Sequence, residues 1–173
     1  MSSRKNVHNT HISSQLRNLH GAVLDIVGMM NGPERDEMMI REAGIRLDRA
    51  LFPLVVLVER FGPIGVVDLA DRVGRDYTTV SRQLGKLEAL ALIERRASPE
   101  DGRLRLATIT PSGKAMTDRI DAARERVLRA GLDSWDEGEL ADFTRLLRRF
   151  ADVMREGQER MPPPGSTDGQ REP

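Results

Sequence analysis

The stretch that leaves this chain the fewest choices runs from Val66 to Thr110. Leu69, Ala70 and Val73 are spaced to face one side of a short helix over about residues 66–73. Gly74 suits the end of that helix. Asp76 suits the start of the next, because its carboxylate can accept from the free N–H groups of the following turn. In this second helix Val80, Leu84 and Leu87 share one face at i, i+4 and i+7. Tyr77, Thr78, Ser81, Arg82 and Lys86 therefore fall away from the core, with Thr79 and Gln83 at its flank. The outward face is polar, basic and rich in hydroxyls.

After Leu90 the pattern changes. Leu92 to Arg96 leads into Ser98, Pro99, Glu100, Asp101 and Gly102, and Arg103 to Thr110 then alternates. Leu104, Leu106, Thr108 and Thr110 fall on one face, Arg103, Arg105, Ala107 and Ile109 on the other. An Asp-Gly pair between two such runs signals a tight hairpin, since it tolerates positive φ. Helix, short helix, polar-faced helix and hairpin in that order make a winged helix-turn-helix, in which one helix enters the major groove of DNA and the hairpin lies along the neighbouring backbone.

The rest of the chain is helical with polar ends. Leu16, Leu19, Val23, Ile26 and Met30 step by three and four, as one stripe of a first helix, interrupted at Asn31, Gly32 and Pro33. A second helical stretch over about 35–59 contains Gly44 and Pro53 and is expected to break at an undetermined point; residues 61–65 read as a turn. Thr110-Pro111 starts a further helix carrying Met116, Ile120, Ala123, Val127 and Ala130. Ser134 with Glu137 fits a capping box for the last, which carries Leu140, Phe143, Leu147, Phe150 and Met154. The expected organisation is a flexible tail at 1–12, N-terminal helices at 13–46, a winged lobe at 47–110, C-terminal helices at 111–156 and a disordered tail at 157–173. The fold class is mainly α with a small β-hairpin wing, flanked by helices suited to dimerisation.

Composition narrows the chemistry. The 173 residues contain no cysteine, which excludes disulfides, thiolate metal sites and thiol-based sensing. No window approaches the roughly 20 uncharged apolar residues of a membrane span, and the N-terminus lacks a signal peptide's apolar core, so a cytoplasmic location is expected. Lys plus Arg and Asp plus Glu both number 27, so any DNA-binding face must be local. Residues 1–20 carry Arg4, Lys5 and Arg17 without an acid, whereas 131–142 carry Asp133, Asp136, Glu137, Glu139 and Asp142 without a base.

The candidate interface combines Tyr77, Thr78, Thr79, Ser81, Arg82, Gln83 and Lys86 on the helix with Asp101, Arg103 and Arg105 on the wing. Arg and Lys bond guanine edges or phosphates, Gln reads adenine, and hydroxyls bond either. Arg103, at the hairpin tip beside Asp101, can enter a narrow minor groove, where negative potential concentrates.

These residues resemble the MarR family of bacterial regulators. The likeness runs from about Leu51 through Gly113 and is closest in LADRVGRDYTTVSRQLGKLEALALIERR and PEDGRLRLATITPSG. It implies that Asp76 to Leu87 is the recognition helix. It further implies that Asp101 and Arg103 form the wing's Asp-x-Arg motif, the Arg contacting DNA and the Asp orienting it, and that the terminal helices intertwine with a second subunit. Repression is the commoner outcome in such a family, and a small-molecule effector commonly releases the DNA. Gly85 departs from it, since a larger side chain is usual there, and a mid-helix Gly costs about 1 kcal/mol relative to Ala.

Other readings are weaker. Met29, Met30, Met38 and Met39 can line an effector pocket, but such methionines are more often core. His8 and His11 stand at i, i+3 without nearby carboxylates, and His20 is alone, so no metal site or other cofactor is expected. No phosphate loop, nucleophile elbow or His-Glu cluster appears, so an enzyme is not expected. The runner-up is a protein-interaction adaptor with its polar helix facing another protein.

Overall fold

A computed structural model describes residues 3–160, of which 3–11, 31, 158 and 159 are described by their backbone alone. Of the disordered tail expected at 157–173, residues 161–173 lie outside the described residues, while residues 157–159 belong to the last helix. The boundary between two compact units falls after Val127, and each is taken in turn.

The first unit opens with α1 (Ser3–Asn31). Over residues 3–12 this differs from the flexible tail expected at 1–12. Residues 3–20 contain neither Gly nor Pro, and extending an existing helix needs no new nucleus. The helix stops at the expected Gly-Pro break, and α2 (Pro33–Glu42) follows with Pro33 in its first turn. The long second helix is interrupted between Glu42 and Arg49. Gly44 takes a left-handed φ of 59° there. Arg126 Nη2 donates to Glu42 O at 2.8 Å and Arg119 to Gly44 O, covering carbonyls left free where α2 ends. A 3-10 turn (Arg49–Leu51), capped by Asp48, leads into α3 (Phe52–Phe61). Pro53 lies in the first turn of α3, where its missing N–H forfeits no helical bond.

Next come β1 (Ile64–Gly65), α4 (Val66–Val73), α5 (Tyr77–Ala89), β2 (Ile93–Ala97), β3 (Arg105–Ile109) and α6 (Pro111–Gly131). The sheet is antiparallel with β3 central, in the order β1-β3-β2. Ile64 pairs with Ala107, and Ile93 with Ile109. The segment read as a plain turn thus supplies a third strand. The hairpin also differs from expectation. Its strands end at Ala97 and Arg105, and the loop between them closes through Ser98 N to Leu104 O at 2.8 Å. Gly102 is not at positive φ, so the Asp-Gly pair belongs to a wider loop and not to a tight turn.

Two apolar clusters hold this unit together. One joins Leu54, Val55 and Val58 of α3 to Leu69, Val80, Leu84, Leu87, Ile93 and Ala107. Each larger member buries roughly 1.5–3 kcal/mol of transfer free energy. The other joins Met39, Ala43, Ile45 and Phe52 to Ile120 and Ala123 of α6. Met39 is therefore core, with Met38 against it, whereas Met29 and Met30 are exposed. Along α1, Leu16, Leu19 and Ile26 of the expected stripe are exposed as well.

In the second unit, α7 (Glu137–Glu159) starts one residue after its cap. Glu139 N donates to Asp136 Oδ1 at 2.8 Å and Asp136 N to Glu139 Oε2 at 3.0 Å. The capping box is therefore Asp136/Glu139, not Ser134/Glu137. Trp135 packs edge-on against Phe143 with ring centroids 5.2 Å apart, which fixes that register. Leu140, Phe143, Leu147 and Met154 of α7 are exposed.

Candidate nucleic-acid interface

The corner between α4 and α5 is set by three adjacent residues. Gly74 adopts φ 63°, the left-handed conformation that closes a helix with little cost only for glycine. Arg75 N then bonds back to Ala70 O at 3.1 Å. Asp76 Oδ1 accepts from Thr79 N at 2.8 Å, and hydrogen bonding from the Thr79 side chain, with this backbone bond, holds its carboxyl below the usual carboxylate range. The cap fixes where α5 begins and so which side chains point outward.

With Val80, Leu84 and Leu87 fully buried, α5 turns its opposite face to solvent. Tyr77, Thr78, Arg82 and Lys86 are exposed, and Thr79, Ser81 and Gln83 are half-buried. Gln83 is not a free reader: its Oε1 accepts from Arg75 Nη1 at 3.2 Å. That leaves its amide N–H groups for an outside acceptor and removes the donor-acceptor pair that adenine recognition uses. Gly85 lies on the outward face, and a Cβ there would meet only Arg95 Nη2, at 4.0 Å. Packing does not demand a glycine at this position.

On the wing, Asp101, Arg103, Leu104 and Arg105 are all exposed. Asp101 Oδ1 accepts from the backbone N–H of Arg103 at 2.9 Å. The carboxylate thus orders the backbone on which Arg103 stands; among the described residues it makes no salt bridge to the guanidinium. Ser98 Oγ accepts from Glu100 N and Asp101 N on the same loop. From exposed Leu104, just before β3, the exposure falls through half-buried Leu106 to buried Ala107, so the tip projects.

Helix and wing are brought together by a contact that spacing alone does not reveal. Arg95 of β2 donates to Glu88 Oε2 of α5 from Nε and Nη2, and the field of Arg105 also reaches Glu88. Opposite charges seven residues apart across a helix end were the available signal. Arg82 and Lys86 stand exposed on α5 and Arg103 and Arg105 on the wing, so both elements of this net-neutral chain present basic side chains to solvent. His20 is exposed, while the side chains of His8 and His11 lie outside the described residues. Among the described residues no cluster of His, Asp and Glu is arranged to hold a metal ion, and no helix is long and apolar enough to cross a membrane.

The sequence profile of the MarR family matches residues 47–104. The uncharacterized HTH-type transcriptional regulator YxaD of Bacillus subtilis is 37% identical over 104 residues, covering 60% of this chain and 73% of that one. Among solved structures, a MarR family protein from Bacillus stearothermophilus superposes with a TM-score of 0.68 at 17% identity, covering 83% of this chain and 97% of that one. A MarR family transcriptional regulator from Listeria monocytogenes, solved in complex with 26mer DNA, gives 0.59 at 19%, covering 79% and 89%. Both structural likenesses are likenesses of fold.

Proposed function

Because the chain belongs to the MarR family of transcriptional regulators, we propose that it reads a specific DNA operator as a homodimer, represses transcription there and is released by a small-molecule effector. The observation that carries this reading is the outward face of α5, where Thr78, Arg82 and Lys86 stand exposed from a helix whose start is fixed by the Asp76 cap. Arg103, on an ordered wing loop, supplies a second contact suited to the minor groove. The Listeria regulator solved with DNA has this fold.

The exposed apolar residues of α1 and of α7 support a second copy as partner, because solvent-facing stripes of this kind mark interaction surfaces. A two-fold dimer presents two α5 helices to successive major grooves, so the operator is an inverted repeat with half-sites roughly 10 base pairs apart. An effector acts by preferring one arrangement of the dimer; a coupling of about 1–3 kcal/mol changes DNA affinity roughly 5- to 150-fold. The chain is a non-enzymatic regulator, and its place is the cytoplasm.

The test is a titration of the purified protein against DNA from upstream of its own gene and against a scrambled duplex, at two salt concentrations. Saturable binding with strong preference for the native sequence is expected. Equal binding to both duplexes counts against operator reading at that region. Absence of binding even at low salt favours the alternative, a winged-helix adaptor for another protein.

A further inference from the structure

Arg75 occupies the turn between α4 and α5 and is half-buried. Its Nη1 donates in two directions, to Ala50 O at 2.8 Å and to Gln83 Oε1 at 3.2 Å. Ala50 belongs to the 3-10 turn that joins the α2 end of the lobe to α3, and its own N–H is held by Asp48 Oδ1 at 2.8 Å. Gln83 lies at the middle of α5. Burial raises the Asp36 carboxyl of α2 above the usual carboxylate range, against the opposing charges of Arg35, Arg75 and Arg49. A single guanidinium thus touches the connecting segment and the outward-reading helix at once. Hydrogen bonds from a charged donor are roughly twice as strong as neutral ones, and the planar guanidinium fixes the directions of both.

We propose that Arg75 is a positioning residue for DNA recognition, tying the segment between α2 and α3 to the middle of α5. The pose at which Thr78, Arg82 and Lys86 meet the groove then depends on how that segment sits. Gln83 acts as the inner anchor of the tie. The inference rests on the DNA-reading function above and adds the device by which a rearrangement in the N-terminal part of the lobe reaches the recognition helix.

The test compares the full-length wild-type chain with Arg75→Met, Gln83→Met and the double variant. Hydrogen exchange is measured without DNA, and binding is measured on native upstream and scrambled duplexes. Faster exchange is expected in both Arg49–Leu51 and Tyr77–Gln83 for Arg75→Met, and in the second segment for Gln83→Met. The native-over-scrambled preference should fall roughly tenfold, at the low end of typical coupling. The double variant should lose no more than Arg75→Met alone, since both substitutions cut one tie. Should Arg75→Met unfold, the exchange of Tyr77–Gln83 in Gln83→Met still tests the tie, and Arg75→Lys, which keeps the charge but loses the planar fork, carries the DNA comparison. Unchanged exchange in the α5 segment overturns the tie itself, whatever the DNA result. Faster exchange with an unchanged preference overturns the positioning role and leaves the DNA reading standing. A wild-type chain that does not distinguish the two duplexes overturns the functional reading and Arg75's part in it together, with the tie still reported by exchange.

Discussion

Arg95 of β2 grips Glu88 of α5 from two nitrogens, Nε at 2.8 Å and Nη2 at 2.6 Å, both on the same carboxylate oxygen. The wing's first strand is thereby clamped to the last turns of α5. Most of the hold on the Glu88 carboxyl comes from this pair, which depresses its pKa against the opposing effect of burial.

The clamp predicts an acid-dependent loss of stability. A carboxyl whose folded value lies below its unfolded value of 4.5 contributes fully above that pH, and the contribution fades as pH falls through the folded value. Glu88→Gln should therefore lower the melting temperature at about pH 6 and narrow the fall between about pH 6 and about pH 3. The effect stays below about 1 kcal/mol, because the side chains of the pair keep 28% and 39% of their exposure. Parallel pH profiles for wild type and variant would show that the pair adds nothing.

Ala91 is the one described residue other than glycine with positive φ, at 56°. It sits where α5 closes, with Leu92 N bonded to Leu87 O at 3.0 Å, a pattern that demands a left-handed residue. An L side chain there costs about 1–2 kcal/mol. Ala91→Gly should raise stability by roughly 1 kcal/mol after glycine's extra chain entropy is counted, and the melting temperature by about 2–4 °C. Ala91→Val should move both the other way.

Gly113 is required for the opposite reason, close approach rather than φ. A Cβ at this position would lie 2.0 Å from Leu92 O and 2.6 Å from Ile109 Cδ1. The backbone oxygen is itself held by Thr110, whose Oγ1 donates to it and accepts from Gly113 N at 3.0 Å. Gly113→Ala should destabilise the lobe at the upper end of the about 1–3 kcal/mol seen for overpacked sites. A denaturant midpoint equal to that of wild type would contradict this reading of the contact.

What could be read from the sequence was what neighbouring residues decide. The limits of α4, the Gly74 stop and the Asp76 cap are local choices, and the spacing of Val80, Leu84 and Leu87 identified the buried face of α5. The third strand could not be read that way, because Ile64 and Gly65 acquire their conformation from pairing with Ala107 and Leu106 far along the chain. Ser134/Glu137 and Asp136/Glu139 offer the same capping pattern two residues apart, and the Trp135–Phe143 contact decides between them. At the interface, helical spacing put Gln83 at the flank of the outward face, but its bond to Arg75 depends on a turn geometry that no periodicity encodes.

Arg82 and Arg103 separate the two halves of the proposed interface. Both are exposed, and neither guanidinium has a hydrogen-bond or salt-bridge partner among the described residues, so truncating either should leave the fold intact. Arg82 stands on the outward face of α5, the face proposed to meet base edges. Arg82→Ala should cost about 1–3 kcal/mol on the native operator and relax its sequence preference, because a lost base contact is lost only where the base was right. Arg103, exposed at the wing tip, is the proposed contact to the backbone and minor groove. Arg103→Ala should weaken binding to native and scrambled duplexes alike and lower the slope of log affinity against log salt by about one. Titrations at several salt concentrations separate the two: a uniform loss for Arg82→Ala would move that residue to the phosphates, and an unchanged salt slope for Arg103→Ala would remove the wing from the interface.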